Sequence, residues 1–408
     1  MLSIKIQYLK YHISQAEIFY RLIKKQFSMR QTALRLTAVF VLLNVLIAAH
    51  AQPPQPPTIN VVTTAVPFLR ISPDARAGGM GDMGIATSPD AISGFWNMGK
   101  VAFNESKGGI SATYTPWLKD IVNDVYLAAV SGYVKFDERQ ALNLGLRYFS
   151  LGDINFTDNN GSSWGKGRPR EFSIDLGYSR KLSDKLGLGV ALRYINSDLT
   201  NGYTQGNSTY KAGTSVAGDL GIYYDNKNEA GDGITGGLVI SNLGSKISYT
   251  DNADQRDFIP TNLGLGFTWN KAFDEQNKLM LGFDLNKLLV PSMGKNQTVD
   301  DYRKQGVVGS WFKSFGDFPG QASVSIGGEY WYNNQFSVRA GYFWEDKKRG
   351  DRQFFTAGVG LKYNVFGINL SYLAPSGSGV NRNPLSNTIR FSVLFDLGGG
   401  GDSESSGN

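Results

Sequence analysis

From about residue 108 to residue 397 the chain keeps a period of two. Segments of about nine to fourteen residues alternate apolar with small or polar side chains, and clusters of Gly, Asn, Asp and Ser separate them. In Leu186–Tyr194, one face carries Leu186, Leu188, Val190, Leu192 and Tyr194, and the other Gly187, Gly189, Ala191 and Arg193. In Phe172–Arg180, Phe172, Ile174, Leu176 and Tyr178 oppose Ser173, Asp175, Gly177 and Ser179. The last such segment sets Ile389, Phe391, Val393, Phe395 and Leu397 against Arg390, Ser392 and Asp396. This pattern dictates antiparallel strands. Two architectures accommodate it: a soluble sandwich with the apolar face inward, or a membrane barrel with that face on lipid and the polar face lining the lumen.

The N-terminus weighs on this choice. Arg30 and Arg35 precede an apolar run, LTAVFVLLNVLIAA, of about 14 residues, which ends in Ala49-His50-Ala51. Basic region, apolar run and small-residue cleavage site together read as a secretory signal peptide. As a transmembrane anchor the run is short for about 30 Å of hydrocarbon. Residues 1–51 are therefore expected to comprise the signal peptide and an upstream extension, with Met29 at the position of a natural start. A Pro-rich linker, residues 52–62, follows. An exported chain with no later apolar run long enough for a helix can span a membrane only as a barrel. The strands have the length a tilted bilayer crossing needs. Aromatics, 12% of the chain, recur at strand ends such as Tyr194, Trp269, Trp344 and Tyr372, where an interfacial girdle would place them.

Charge and composition exclude other functions. The leader holds seven basic residues (Lys5, Lys10, Arg21, Lys24, Lys25, Arg30, Arg35) and one acid, Glu17. Removing these from 41 basic and 35 acidic residues leaves 34 of each. The basic pI thus belongs to the leader and is no argument for a nucleic-acid partner. Both histidines, His12 and His50, leave with it, and there is no cysteine. Ser-His-Asp and Cys-His catalysis and His- or Cys-ligated metals are excluded from the mature chain. No cofactor and no enzymatic activity are expected.

Connection lengths give the strand number. Fifteen segments look strand-like. Short links fall at Asp137-Glu138, Ser183-Asp184, Asn333-Asn334 and Asn364, and long ones at 152–169, 200–211, 244–258 and 374–385. Counting 305–315 as a strand breaks this alternation; treating it as part of an outer excursion from about 291 to 319 restores it. The sequence predicts an all-β transmembrane antiparallel barrel of about 14 strands over 108–397, with both ends in the periplasm. A flexible tail, 398–408, completes the chain.

Before the barrel, Gly79-Met80-Gly81-Asp82-Met83-Gly84 matches G-x-G-x-x-G. A dinucleotide site would need a strand before it and a helix after it. Here Pro67 and Pro73 disfavour a preceding central strand, and antiparallel hairpins come after. The segment 63–107 is instead expected to be a Gly-rich hatch that fills the periplasmic mouth.

The run TTAVPFLRISPDARAGGMGDMGIATSPDAISGFWN, residues 63–97, resembles the N-terminal signature of the PorV/PorQ family, outer-membrane components of the type IX secretion system of Bacteroidota. A looser form of it resembles the hatch of FadL-type fatty-acid transporters. The stretch VGSWFKSFGDFPG, 308–320, and the chain length agree with the PorV resemblance, whereas Asn97-Met98-Gly99 departs from the usual Asn-Pro-Ala. The resemblance implies a FadL-like barrel with a hatch motif at Pro67, Arg70, Gly78, Gly79, Gly81, Asp82, Gly84, Asp90, Trp96 and Asn97. It implies a non-enzymatic role: accepting cargo with a conserved C-terminal domain from the type IX translocon barrel and passing it to a sortase-like attachment complex. Outer-membrane lipid is the remaining expected partner.

Trp311, Phe312, Phe315 and Phe318 form a candidate partner loop. Arg147, Asp175, Arg193, Asp284, Glu329, Arg339, Glu345, Lys362 and Arg390 are expected to face the lumen as a salt-bridged interior. The alternative function, FadL-type transport of hydrophobic small molecules, needs an apolar lumen.

Overall fold

The computed structural model describes residues 64–117, 124–157, 160–200, 204–205, 208–252, 255–293, 297–318, 322–346, 350, 352–375 and 388–398. The expected signal peptide, Pro-rich linker and most of the C-terminal tail lie outside the described residues.

Fourteen strands close into one antiparallel barrel. They are β1 (Gly108–Pro116), β2 (Val125–Asp137), β3 (Gln140–Leu151), β4 (Arg170–Lys181), β5 (Leu186–Asp198), β6 (Gly213–Lys227), β7 (Gly233–Gly244), β8 (Asn262–Ala272), β9 (Asn277–Leu288), β10 (Ala322–Tyr332), β11 (Phe336–Glu345), β12 (Gln353–Tyr363), β13 (Phe366–Pro375) and β14 (Thr388–Leu397). Each pairs with its sequence neighbour, and β1 closes on β14 with Gly109 opposite Asp396. The closed barrel leaves no edge of its own to recruit another chain.

The two faces settle barrel against sandwich. On β4 and β5, Leu176 lies opposite Leu192 and Asp175 opposite Arg193. The leucines are 55% and 67% exposed, while Asp175 and Arg193 are each 3% exposed. The apolar face therefore points outward and the charged face inward, the inverse of a soluble sandwich. Aromatic side chains line up on the lipid face near the long loops: Tyr114 and Tyr126 stand 5.5 Å apart, Tyr126 and Tyr148 6.2 Å, and Phe172 and Tyr194 6.2 Å. Such a belt suits the bilayer interface.

Short turns and both barrel ends, Gly108 and Leu397, lie at one end, and long loops at the other. In barrels of this kind the turn end is periplasmic and the loop end faces outward. The stretch 305–315 is not a strand. The loop after β9 holds two short helices, α2 (Val299–Lys304) and α3 (Val307–Lys313), then a 3-10 turn at Ser314–Asp317. The strand expected from residue 259 starts only at Asn262. Pro260 lacks the N–H a ladder needs.

One wall irregularity is polar. Between β6 and β7 the register shifts at Gly218/Leu220, and Asn242 takes a φ of 58°. Asp219 accepts the Asn242 N–H at 2.7 Å and a hydrogen bond from Arg193 at 2.8 Å. The bulge thus aims a carboxylate at an interior arginine.

Candidate functional site

Residues 64–107 run inside the barrel. The segment starts among the long loops. The Ala65 N–H donates to the Phe258 carbonyl at 2.9 Å, and Val66, Phe68 and Leu69 bury against Val125, Leu127, Phe149, Ile195 and Ile259. It leaves among the short turns, where Lys135 donates its N–H to the Lys107 carbonyl at 2.8 Å and its Nζ to the Asn104 carbonyl at 3.0 Å. The hatch expected at the periplasmic mouth spans the lumen from one mouth to the other. The apolar start of the segment explains this reach: Val66, Phe68 and Leu69 find their large apolar partners at the loop end.

The wall is built to receive a backbone. Interior positions facing the segment are glycines: Gly358 meets Gly79, Gly327 and Gly341 meet Met80, Gly237 and Gly266 meet Ile85, and Gly189 meets Met98 and Gly99. A Cβ at Gly237 would stand 2.7 Å from the Ile85 carbonyl oxygen. Small residues on the lumen face therefore permit close packing of chain on wall.

The G-x-G-x-x-G stretch is part of this contact. The Gly84 and Ile85 N–H groups both donate to Asp284 of β9, at 2.7 and 2.9 Å. The wall carboxylate occupies the cradle in which a phosphate would sit in a nucleotide fold. Gly81, at φ 70°, donates its N–H to Thr356 at 2.8 Å. Its neighbour Asp82 pairs with Arg390. A Cβ on Gly84 would collide with the Trp96 ring, and one on Gly78 with Arg390. The Trp96 indole donates to Asp74 at 3.2 Å. Asp74 in turn caps the short helix α1 (Ala75–Gly78) by accepting the Arg76 and Ala77 N–H groups. The Asn97 side chain accepts from Gly99 at 2.9 Å and donates to the carbonyls of Ile85 and Ile222. Asp90 accepts from Ile92 and Arg76. Pro67 opens a 3-10 turn, Pro67–Arg70, and Arg70 pairs with Glu345 at 3.0 Å.

Wall and segment share their charges. Arg76 donates to both oxygens of Glu329, at 2.9 and 2.7 Å, and Arg339 donates to Glu329 at 2.7 Å. Arg76 also donates to Asp90 at 3.0 Å, so two carboxylates face this buried guanidinium. Arg193 bridges Asp175 and Asp219, and the Nη1 of Arg147 donates to the Leu69 carbonyl at 3.2 Å. Lys362 differs from the interior placement expected of it: it sits half-exposed at the turn-end rim, paired with Asp396 at 2.8 Å, because its strand has by then left the lumen. Sequence reasoning passed over Arg76, Asp74 and Lys100. The Lys100 ammonium is buried and donates to the Gly84 carbonyl at 2.7 Å and to Thr87 Oγ1 at 3.0 Å. Charges recurring in an otherwise apolar, glycine-rich segment were the available signal.

The second candidate region is the outer loop. Tyr302 of α2 is buried against Phe258, ring centroids 5.3 Å apart, with Leu288 and Val290 beside them. Arg303 clasps Asp257 at 2.7 and 3.1 Å. This anchors α2 on the barrel. From α3 onward the loop is open: Val308, Phe312, Phe315 and Phe318 are 57%, 73%, 48% and 54% exposed, whereas Trp311 is half-buried. They lie in a loop beyond the strands.

A family model described as "Type IX secretion system protein PorV" matches residues 55–295, more than half of the chain. The chain belongs to the PorV family. Among solved structures, the CymD monoaromatic hydrocarbon channel is similar at 12% identity, with a TM-score of 0.50, covering 79% of this chain and 97% of that one. A Pseudomonas aeruginosa FadL homologue is similar at 14% identity, with a TM-score of 0.47, covering 83% and 99%. The TodX deltaS2S3 mutant channel is similar at 14% identity, with a TM-score of 0.49, covering 79% and 98%. Among curated proteins no sequence relative matches. The PorV-family match spans the inner segment and β1 to β9, so the family assignment rests on both plug and wall. This PorV-family barrel is an outer-membrane component of type IX secretion in a Gram-negative bacterium, a secretion or transport barrel.

Proposed function

We propose that this PorV-family barrel accepts secreted cargo bearing a conserved C-terminal domain from the translocon barrel and hands it to a sortase-like attachment complex at the cell surface. The observation that carries this reading is the apolar group on and after α3: Val308, Phe312, Phe315 and Phe318 stand exposed on an anchored loop at the outer end. Exposed aromatic side chains clustered on a firm base are the usual anchors of protein interfaces. The interior supports the same reading, since a lumen occupied by residues 64–107 is a poor conduit and a good scaffold. The lineage the sequence resemblance points to is Bacteroidota.

The test is deletion of 305–316 in a tagged copy that still assembles as a barrel. Cargo attachment should be lost, and the large translocon barrel, sortase-like partner and cargo should no longer co-isolate. Normal attachment would sink the assignment. The FadL-type transporter reading has one observation in its favour, a cavity of about 280 Å³ at the outer mouth lined by Val66, Leu199, Tyr249, Met293 and Tyr302. Below it lie the Arg76–Glu329–Arg339 and Arg193–Asp175 clusters, an unfavourable path for an acyl chain. Uptake of labelled fatty acid that depends on this protein would revive it.

A further inference from the structure

Between the inner segment and the wall lies a cavity of about 130 Å³. Leu69, Arg70 and Asp82 of the segment line one side of it. Arg147 of β3, Asn286 of β9 and Arg352, just before β12, line the other. A water molecule takes about 30 Å³, so the cavity has room for a group of a few atoms and none for an acyl chain. Three of its four charged residues are arginines, and their partners do not balance them. Arg70 and Arg352 share the single carboxylate of Glu345, at 3.0 and 2.6 Å. Asp82, the one acid, is taken by Arg390. Arg147 is 3% exposed, and the Asp175 carboxylate stands 3.9 Å from its Nη2, beyond hydrogen-bond reach. Asp175 is bonded instead by Arg193, which also holds Asp219. Along these pairs, among the described residues, five guanidiniums meet four carboxylates, which leaves one positive charge over.

Arg147 also has hydrogen-bonding capacity to spare. Its Nη1 donates to the Leu69 carbonyl at 3.2 Å, and its Cζ lies 5.1 Å from the centre of the Phe95 ring. Its Nε and Nη2 are buried with no hydrogen-bond partner among the described residues. A guanidinium carries five N–H donors and does not give up its proton, so a buried one short of acceptors is an uncompensated charge in a low-dielectric interior. What compensates it must be negative and must accept hydrogen bonds. Asn286 can help, because its side-chain oxygen already accepts from Asn262 at 2.8 Å, which leaves its amide N–H groups to donate. We propose that this cavity binds a small monovalent anion, a halide or a short carboxylate, held by Arg147 from the wall and by the Arg70–Arg352 pair. The single charge of the anion matches the excess of one. Lodged between segment and wall, it is a further bridge between them.

The test is urea titration of the full barrel in detergent, in sodium chloride, sodium formate or sodium gluconate at equal ionic strength. Gluconate, a sugar acid, is too large for the cavity. Chloride and formate should raise the urea midpoint above its value in gluconate, because a ligand that binds only the folded state stabilises it. Either order between chloride and formate supports the proposal and ranks the two. Arg147→Met should abolish the difference between the salts. Crystals of the parent protein soaked in bromide give a reading that needs no variant: anomalous density is expected beside Arg147, and it decides the matter if Arg147→Met fails to assemble. Equal midpoints in the three salts, or no bromide beside Arg147, would overturn the proposal, as would a chloride effect that persists in Arg147→Met.

Discussion

Arg76 of the inner segment grips Glu329 of β10 through two hydrogen bonds, at 2.9 and 2.7 Å, with both side chains out of solvent. The segment is thereby tied to the wall by a buried, bidentate ion pair, the strongest kind of polar contact a protein side chain makes. Removing one partner of such a pair leaves a buried charge short of its counter-ion. Arg76→Met should destabilise the folded barrel by about 3 kcal/mol, toward the low end for such deletions because Arg339 still serves Glu329. Urea titration of the barrel in detergent measures the loss. The same variant should raise single-channel conductance in planar bilayers, because the plug loosens. A double-mutant cycle with Glu329→Gln that proved additive would show that the pair does not couple segment to wall.

The glycine lining makes a sharper distinction. At Gly341 a side chain would run into the Met80–Gly81 backbone, whereas at Gly236, on the lipid face, the nearest atom is the Gly266 carbonyl oxygen at 4.0 Å. Gly341→Val should cost about 1–3 kcal/mol, as overpacking does, and should increase proteolysis of the inner segment. Gly236→Ala should stay within about 0.5 kcal/mol of the parent. Equal effects at both positions would show that the lumen glycines do not serve close approach.

Period-two alternation made the barrel legible, because a strand facing lipid on one side and a lumen on the other has no freedom in which residues alternate. Alternating turn and loop lengths also exposed 305–315 as a non-strand; its helical character comes from an exposed excursion that no ladder constrains. The path of the inner segment was not legible. Its glycines said that it packs closely against something, but whether it stops at one mouth depends on partners far away in sequence, such as Phe258 and Ile259 for its first residues. Similarly, the G-x-G-x-x-G was readable as a non-nucleotide motif from its flanks, while Asp284 as the group that fills it lies 200 residues from Gly84.

The outer loop separates stability from recognition. Phe312, Phe315 and Phe318 are exposed, while the loop is held by Tyr302, Phe258 and the Arg303–Asp257 pair. Replacing Phe312 or Phe318 with serine should alter barrel stability by no more than about 0.5 kcal/mol, and replacing Phe315, whose ring lies 5.8 Å from the buried Lys287 ammonium, by no more than about 1 kcal/mol. If they anchor a partner, each is expected to weaken its binding by about 2 kcal/mol or more, and the triple variant should secrete cargo without attaching it to the surface. Tyr302→Ala should behave oppositely in origin, removing the buried ring that seats α2 on Phe258 and so disordering the platform while leaving its aromatic residues in place. Surface cargo counted by protease shaving, with barrel assembly followed by heat-modifiable gel mobility, distinguishes the two. Full attachment by the triple variant would mean that the exposed phenylalanines serve no partner in secretion.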